Sequence, residues 1–411
     1  MQFSQGQHAV SAAPAAFDRG VVLLALAAGI CTSMQVGKLP PLLPGLREEF
    51  GLGLVLAGLV ASSFSILAAL GGVLAGLASN RFGSRRTIAL GLALLGLGNL
   101  LGAAADMAGG LLLGRMVEGL GFVLTVVAAP VAITHGAGAT RQRFWLGIWG
   151  AYMPTGVALG MLLAPPLAAL AGGWRPVWLM MAALLLALAL LVLLRQPKQA
   201  AAPASAASGG PRWHALRRPG PWLMAGCFAC YTTQWFAVIT WLPSYLAESG
   251  QLSTGSIGLA GALVVIANAC GSLSAAFLLQ HGVPRGAILA GVPLAMSVFG
   301  LFIFGLGPQA NPWLAVLLGM AFSGCGGSVP ATVLAGVPLH ARGGGEIATL
   351  NGLVVQLSNI GSFLGPPGLA AAVAALGGWQ QGRWLLPLCA LLGFTLALLL
   401  RRQERKLEQP T

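Results

Sequence analysis

Three charged residues stand within otherwise apolar stretches of a 411-residue chain: Lys38, Arg115 and Glu118. A charged side chain in a bilayer costs several kcal/mol, so each one marks a substrate pathway, an ion pathway or a paired structural group. Arg115 and Glu118 are three residues apart, which puts them on one helix face and lets them form an intrahelical ion pair. Thr32, Gln35 and Lys38 share a face of their own segment by the same spacing. Lys38 has two structural alternatives. Its stem can snorkel to the headgroups, or its ammonium can meet carbonyls freed by Pro40, Pro41 and Pro44. Glu118 is the one intramembrane acid, hence the one carboxylate there able to carry a coupled proton. Burial would oppose its ionisation and Arg115 would favour it.

The surrounding composition says what must hold these residues. Hydrophobic residues make up 57% of the chain and charged residues 8%, against ~25% charged in soluble domains. That excludes a cytosolic globular enzyme, a disordered chain and a disulfide scaffold. A spanning helix needs about 20 apolar residues, and the pattern predicts an all-α membrane protein with twelve transmembrane helices. The spans read 20–45, 54–79, 87–105, 110–133, 145–170, 176–194, 221–246, 255–280, 286–306, 312–338, 347–375 and 384–400. With the N-terminus inside, 17 of the 22 Lys/Arg lie on the cytoplasmic side, the positive-inside pattern. Both termini are therefore expected in the cytoplasm, and residues 1–18 lack a signal-peptide core. The net charge of +13 is spread over short loops, which is no nucleic-acid groove. Cys227-x-x-Cys230 lies on an apolar helix face with no second pair or His beside it, so it reads as packing.

Residues 196–219, rich in Ala, Ser, Gly and Pro, form a predicted cytoplasmic linker. It separates a six-helix bundle at 20–195 from another at 220–400, with tails at 1–19 and 401–411. The halves repeat. At a shift of 205, Gly147, Gly156, Gly160 and Gly172-Gly173-Trp174 fall on Gly352, Gly361, Gly365 and Gly377-Gly378-Trp379. Gly119 and Gly121 fall on Gly324 and Gly326 at the same shift. Near the start of each half, Leu39-Pro40 matches Leu242-Pro243. Two pseudo-symmetric bundles around a midplane site are a secondary-transporter design. The Gly156-x-x-x-Gly160 and Gly361-x-x-x-Gly365 pairs let helices approach closely.

The loop after span two, with Gly76, Asn80, Arg81, Gly83, Arg85 and Arg86, resembles the signature loop of the major facilitator superfamily, G-x-x-x-D-R-x-G-x-R-R. Arg115-x-x-x-Gly119-x-Gly121 resembles its R-x-x-x-G-x-G pattern, and Gly-Gly-Trp174-Arg175 is frequent there. The resemblance covers essentially the whole chain. Within the superfamily, Trp241-Leu-Pro-Ser-Tyr-Leu-Ala-Glu248 resembles the seventh helix of the cyanate and nitroimidazole transporter branch. Span one lacks the Arg-Pro pair usual in that branch. The resemblance implies a gating role for the signature loop. Asn80 stands where the superfamily has Asp, so the loop lacks that negative charge and the cytoplasmic latch is expected to be weaker or to be built with another acid. Gly160 is followed by Met161 rather than the Pro common in antiporters.

The implied fold turns spans one and four toward one central cavity. Arg115 and Glu118 would then cancel, and Lys38 would leave the cavity positive and suited to a small anion. Thr32, Gln35, Tyr231, Gln234, Trp241, Asn268, Gln356 and Asn359 are further candidate contacts. No ATP-binding G-x-x-x-x-G-K-[ST] loop occurs, so transport is expected to be passive or driven by an ion gradient. The expected partners are a small solute, the bilayer of a bacterial inner membrane and protons, with the chain acting as a monomer. No cofactor, metal or nucleic acid is expected. Efflux of lipophilic compounds and a non-transporting sensor are the competing functions. An embedded enzyme is disfavoured by the lack of His-Glu-x-x-His or Gly-x-Ser-x-Gly.

Overall fold

The computed structural model describes residues 17–196, 213–307, 310–342 and 344–408. Among them the regular structure is helical. In the first half these are α1 (Arg19–Gly37), α2 (Leu54–Phe82), α3 (Ser84–Ala103), α4 (Ala108–Trp149), α5 (Tyr152–Ala171) and α6 (Trp174–Arg195). In the second half they are α7 (Pro219–Glu248), α8 (Thr254–Gln280), α9 (Arg285–Gly305), α10 (Pro312–Gly326, continued by Ser328–His340), α11 (Gly344–Leu376) and α12 (Leu385–Glu408). Eleven helical stretches of the described residues are long and apolar enough to cross a membrane. The remaining helix, α2, is 29 residues long, with Leu54–Leu70 as its described apolar part. With twelve crossings the start of α1 and the end of α12 lie on one face, here the terminal face; the opposite one is the far face.

Local chemistry fixes the ends. Asp18 caps α1 by accepting from the Val21 amide, and Ser253 caps α8 by accepting from Ser256, each satisfying a donor the first turn leaves free. Pro40 and Pro41 lack amide donors and stop α1. The chain continues there as a 3-10 turn, Pro40–Leu42, and a short helix, Leu43–Phe50. Three boundaries differ from the pattern reading. Spans four and five are separated by Gly138 alone rather than by a longer loop: its φ of 66° and ψ of 169° are non-helical and end the fourth crossing, and the fifth begins at Thr140. Span ten is broken at Gly327. The last helix continues through Arg401 to Glu408, since charged residues outside the bilayer are good helix formers.

The repeat seen in sequence is a repeat of contacts. A Cβ on Gly156 or Gly160 would overlap backbone carbonyls of α1, and one on Gly361 or Gly365 would overlap those of α7. Each small-residue pair thus seats the fifth helix of a half on its first. The indole of Trp174 donates to Glu49 at 2.6 Å, and that of Trp379 donates to Glu248 at 2.6 Å. The two Gly-Gly-Trp loops are therefore tied down by the same bond.

Between the halves, α2 packs on α11 and α5 on α8. The closest approaches are Gly58 against Pro366 and Pro367, and Gly258 and Gly261 against Met161 and Pro165. All lie between the far face and the middle of the helices, so this conformation is closed at the far face. Every ion pair among the described residues stays within one half or its adjoining linker. The joint is one of small apolar surfaces, suited to parting and re-forming.

At the terminal face, Glu346 at the start of α11 accepts from the Arg342 amide at 2.8 Å and from Arg218, and lies 2.8 Å from His214. These contacts tie the Trp213–Arg217 turn to the second half. The Arg342 amide, Arg218 and His214 hold the carboxyl down at about 2, against an ordinary 4.5. Its stabilising effect is complete above the ordinary value and lost as pH falls toward 2. Glu346→Gln should therefore melt earlier than the parent at neutral pH. The gap should close as the melts are repeated from pH 4.5 downward.

Candidate functional site

Five helices of the first half converge on one buried polar cluster. Gln35 and Lys38 come from the last turn of α1, Asn99 from α3, Arg115 and Glu118 from α4, Phe64 from α2 and Trp178 from α6. Glycines make the convergence possible. A Cβ on Gly98 would lie 2.7 Å from Glu118 Cγ, so α3 and α4 meet closely enough for Asn99 and Glu118 to share a partner.

That partner is Lys38. Its Nζ donates to Gln35 Oε1 at 2.8 Å, to Asn99 Oδ1 at 2.5 Å and to Glu118 Oε1 at 2.9 Å. These three bonds use all three ammonium donors. The ammonium also lies 4.4 Å from the centre of the Trp178 ring, a cation–π contact. Arg115 Nη1 donates to the Gln35 carbonyl at 2.9 Å and to Glu118 Oε2, and its guanidinium lies over Phe64 at 5.1 Å. Asn99 Nδ2 donates back to Gln35 Oε1 at 3.0 Å. Lys38, Arg115 and Glu118 are 0%, 3% and 1% exposed. Two cations thus share one carboxylate, and the sealed cluster carries one unbalanced positive charge.

The pairing differs from the sequence expectation. Arg115 and Glu118 do pair, but Lys38 joins them instead of standing free, and neither snorkels nor relies on carbonyls released by the prolines. Asn99 and Trp178 were missed. Asn99 is an amide within the apolar run of α3, the same kind of signal that marks Gln35, Gln234 and Asn268.

In the second half, Asn268 Nδ2 donates to Tyr231 Oη at 3.0 Å and to the Ser323 carbonyl at 2.8 Å. Tyr231 stacks on Phe228 and Trp235. Trp241 donates to the Pro366 carbonyl at 2.7 Å and packs on Trp379. Gln356 is exposed, and Asn359 bonds back to the Val355 carbonyl of its own helix. These residues and the Lys38 cluster share no described contact.

Two candidates stand apart. Thr32 in α1 and Gln234 in α7 are fully buried, yet the Thr32 hydroxyl and both polar atoms of the Gln234 amide lack a partner. Counted from their helix starts they are 13 and 15 residues deep, about 20 and 22 Å at the helical rise, near the midplane in both halves.

In the signature loop, Gly76 and Asn80 belong to the last turns of α2, and the side-chain surroundings of Asn80 lie outside the described residues. Gly83 separates α2 from α3 with φ 78°, a conformation only glycine adopts freely. Arg85 donates to the Leu193 carbonyl at the end of α6, while Arg81 and Arg86 are exposed.

The sequence profile of the Major Facilitator Superfamily matches residues 25–366. The 2-nitroimidazole transporter of Escherichia coli K12 is 26% identical over 88% of this chain and 90% of its own length. The probable sulfoacetate transporter SauU of Cupriavidus necator is 26% identical over 56% of this chain and 57% of its own. The cyanate transport protein CynX of E. coli K12 is 25% identical over 72% and 74%. Among solved structures, a bacterial homolog to the human lysosomal transporter Spinster, inward-facing and unoccupied, matches with a TM-score of 0.80. It is 18% identical and covers 94% of this chain and 97% of that one.

Proposed function

The chain belongs to the major facilitator superfamily, and from that premise we propose that it carries a small anion across the membrane by alternating access. The observation that carries the anion reading is the ratio of two buried cations to one carboxylate in the Lys38–Arg115–Glu118 cluster. An unbalanced charge in a low-dielectric wall attracts an ion of opposite sign into the adjoining space. Thr32 and Gln234 supply the neutral contacts. A buried amide with no partner costs about 1–3 kcal/mol, a cost removed when a bound solute accepts its hydrogens. Cyanate and sulfoacetate, named for two relatives, are anions of the expected class.

The positive-inside bias supports cytoplasmic termini, which makes the far face the outer one of a bacterial inner membrane and the present conformation closed to the outside. A thermal-shift screen of the purified protein tests the reading, because a ligand of the native state raises its melting temperature by mass action. Cyanate, sulfoacetate or a similar small anion should stabilise the protein, and Gln234→Leu should lose part of that shift. Stabilisation by cations or neutral lipophiles alone would contradict the anion assignment.

A further inference from the structure

Glu118 is the membrane's one acid, but the charge balance of its cluster puts the mobile proton on another atom. Adding a proton to Glu118 would leave Lys38 and Arg115 both charged, both sealed from water and without a counter-ion. The cluster reaches neutrality in one way. Arg115 keeps its charge under all physiological conditions, whereas a buried lysine exchanges its proton readily. We propose that Lys38 is the proton carrier of this transporter, alternating between ammonium and neutral amine while Arg115 and Glu118 remain a fixed pair. The inference rests on the anion-carrier reading above and deepens it.

The surroundings of Nζ fit that role. The charged groups facing it are Glu118 and Arg115 of α4. Asn99 of α3, Gln35 of its own helix and the Trp178 ring of α6 complete its shell. From α5, Gly160 lies against the backbone of Gly37 and Lys38 and carries no titratable side chain. Asn and Gln amides have both donors and acceptors, so the shell can turn to serve either form of the amine. In the step itself the ammonium gives one proton to water on the open side and keeps the lone pair. The amine later takes one proton from water on the other side.

Access follows from position. Lys38 caps α1, and the Pro40–Leu42 turn just beyond it packs on α5 and, across the joint, on α7 and α8. Parting the halves at the far face withdraws α7 and α8 from that turn and uncovers the end of α1 that holds Nζ. With Lys38 charged, the cluster complements a monovalent anion. A proton and a monovalent anion such as cyanate then cross together without net charge, whereas a dianion such as sulfoacetate crosses with one net negative charge.

Two measurements test this on the full chain. The first needs no substrate. The ammonium lies over Trp178, so losing its charge changes the emission of that indole. In nanodiscs the wild type should show a reversible pH-dependent step in tryptophan emission that is absent from Trp178→Phe and from Lys38→Met. The methionine leaves a charge-balanced Arg115–Glu118 pair and an apolar stem, while Asn99 Oδ1 and Glu118 Oε1 each lose one donor. No step in the wild type, or an unchanged step in Lys38→Met, overturns the proposal.

The second uses proteoliposomes with labelled cyanate and sulfoacetate. Lys38→Arg fixes the charge, so accumulation driven by a pH gradient should fall by about tenfold or more relative to counterflow measured on the same vesicles, within the usual range of coupling between two sites. Retained pH-driven accumulation overturns the proposal, as does an equal loss of both. If neither anion moves in the wild type, the carrier reading fails, and the emission step still decides where the proton resides.

Discussion

Glu118→Gln is expected to destabilise the folded protein by about 3–5 kcal/mol, the usual cost of stripping the partner from a buried charge. The size follows from the geometry. Both carboxylate oxygens are engaged, one by Lys38 and one by Arg115, and all three side chains are sealed from water. Glutamine keeps the shape and can still accept from one cation, but it leaves two like charges at close range. Glu49 provides the contrast. It also pairs with an arginine, Arg175, but both are partly exposed, and exposed pairs contribute only about 0–1 kcal/mol. Thermal unfolding in one detergent should place Glu49→Gln near the parent, Glu118→Gln well below it and Lys38→Met between the two. A Glu118→Gln protein melting with the parent would mean that water reaches the cluster.

The second large effect is conformational. Gly58 and Gly258 lie where α2 meets α11 and where α8 meets α5. A Cβ on Gly58 would come within 2.9 Å of the Pro367 backbone, and one on Gly258 would overlap the Met161 carbonyl. Overpacking costs about 1–3 kcal/mol per site, so Gly58→Trp with Gly258→Trp penalises far-face closure by about 2–6 kcal/mol. Reversing a two-state population from 1:99 to 99:1 takes about 5.5 kcal/mol, so the upper end of that range is enough to hold the far face open. Transport should be lost while the protein remains folded. Spin labels at Leu170 and Gln251, on the far-face ends of the α5–α8 contact, should separate by several ångström relative to the parent. An unchanged distance with normal transport would place the hinge elsewhere.

Much of this was legible in the sequence because bilayers impose simple rules. Apolar length gave the helices, and the constant shift between the halves gave the two bundles. The scarcity of charge picked out Lys38, Arg115 and Glu118 before any contact was known. Partnership was harder to read. The three-residue spacing gives the Arg115–Glu118 pair, but the distance from Lys38 to Glu118 is set by α3 and α4 meeting at glycines, a tertiary fact. The same holds for Gly58, whose neighbour lies more than 300 residues away in the chain. Trp174 and Trp379 were found as repeated letters, and their function as donors to Glu49 and Glu248 needed coordinates.

Solute counterflow in proteoliposomes tests the central claim most directly, because exchange requires a binding site that alternates between the two faces and needs no driving gradient. Vesicles preloaded with unlabelled sulfoacetate or cyanate should take up the labelled anion faster and to a higher transient level than empty vesicles. Gly58→Trp with Gly258→Trp should abolish the overshoot. Equal uptake by loaded and empty vesicles for every small anion, with exchange of a cation or a neutral lipophile instead, would contradict the account.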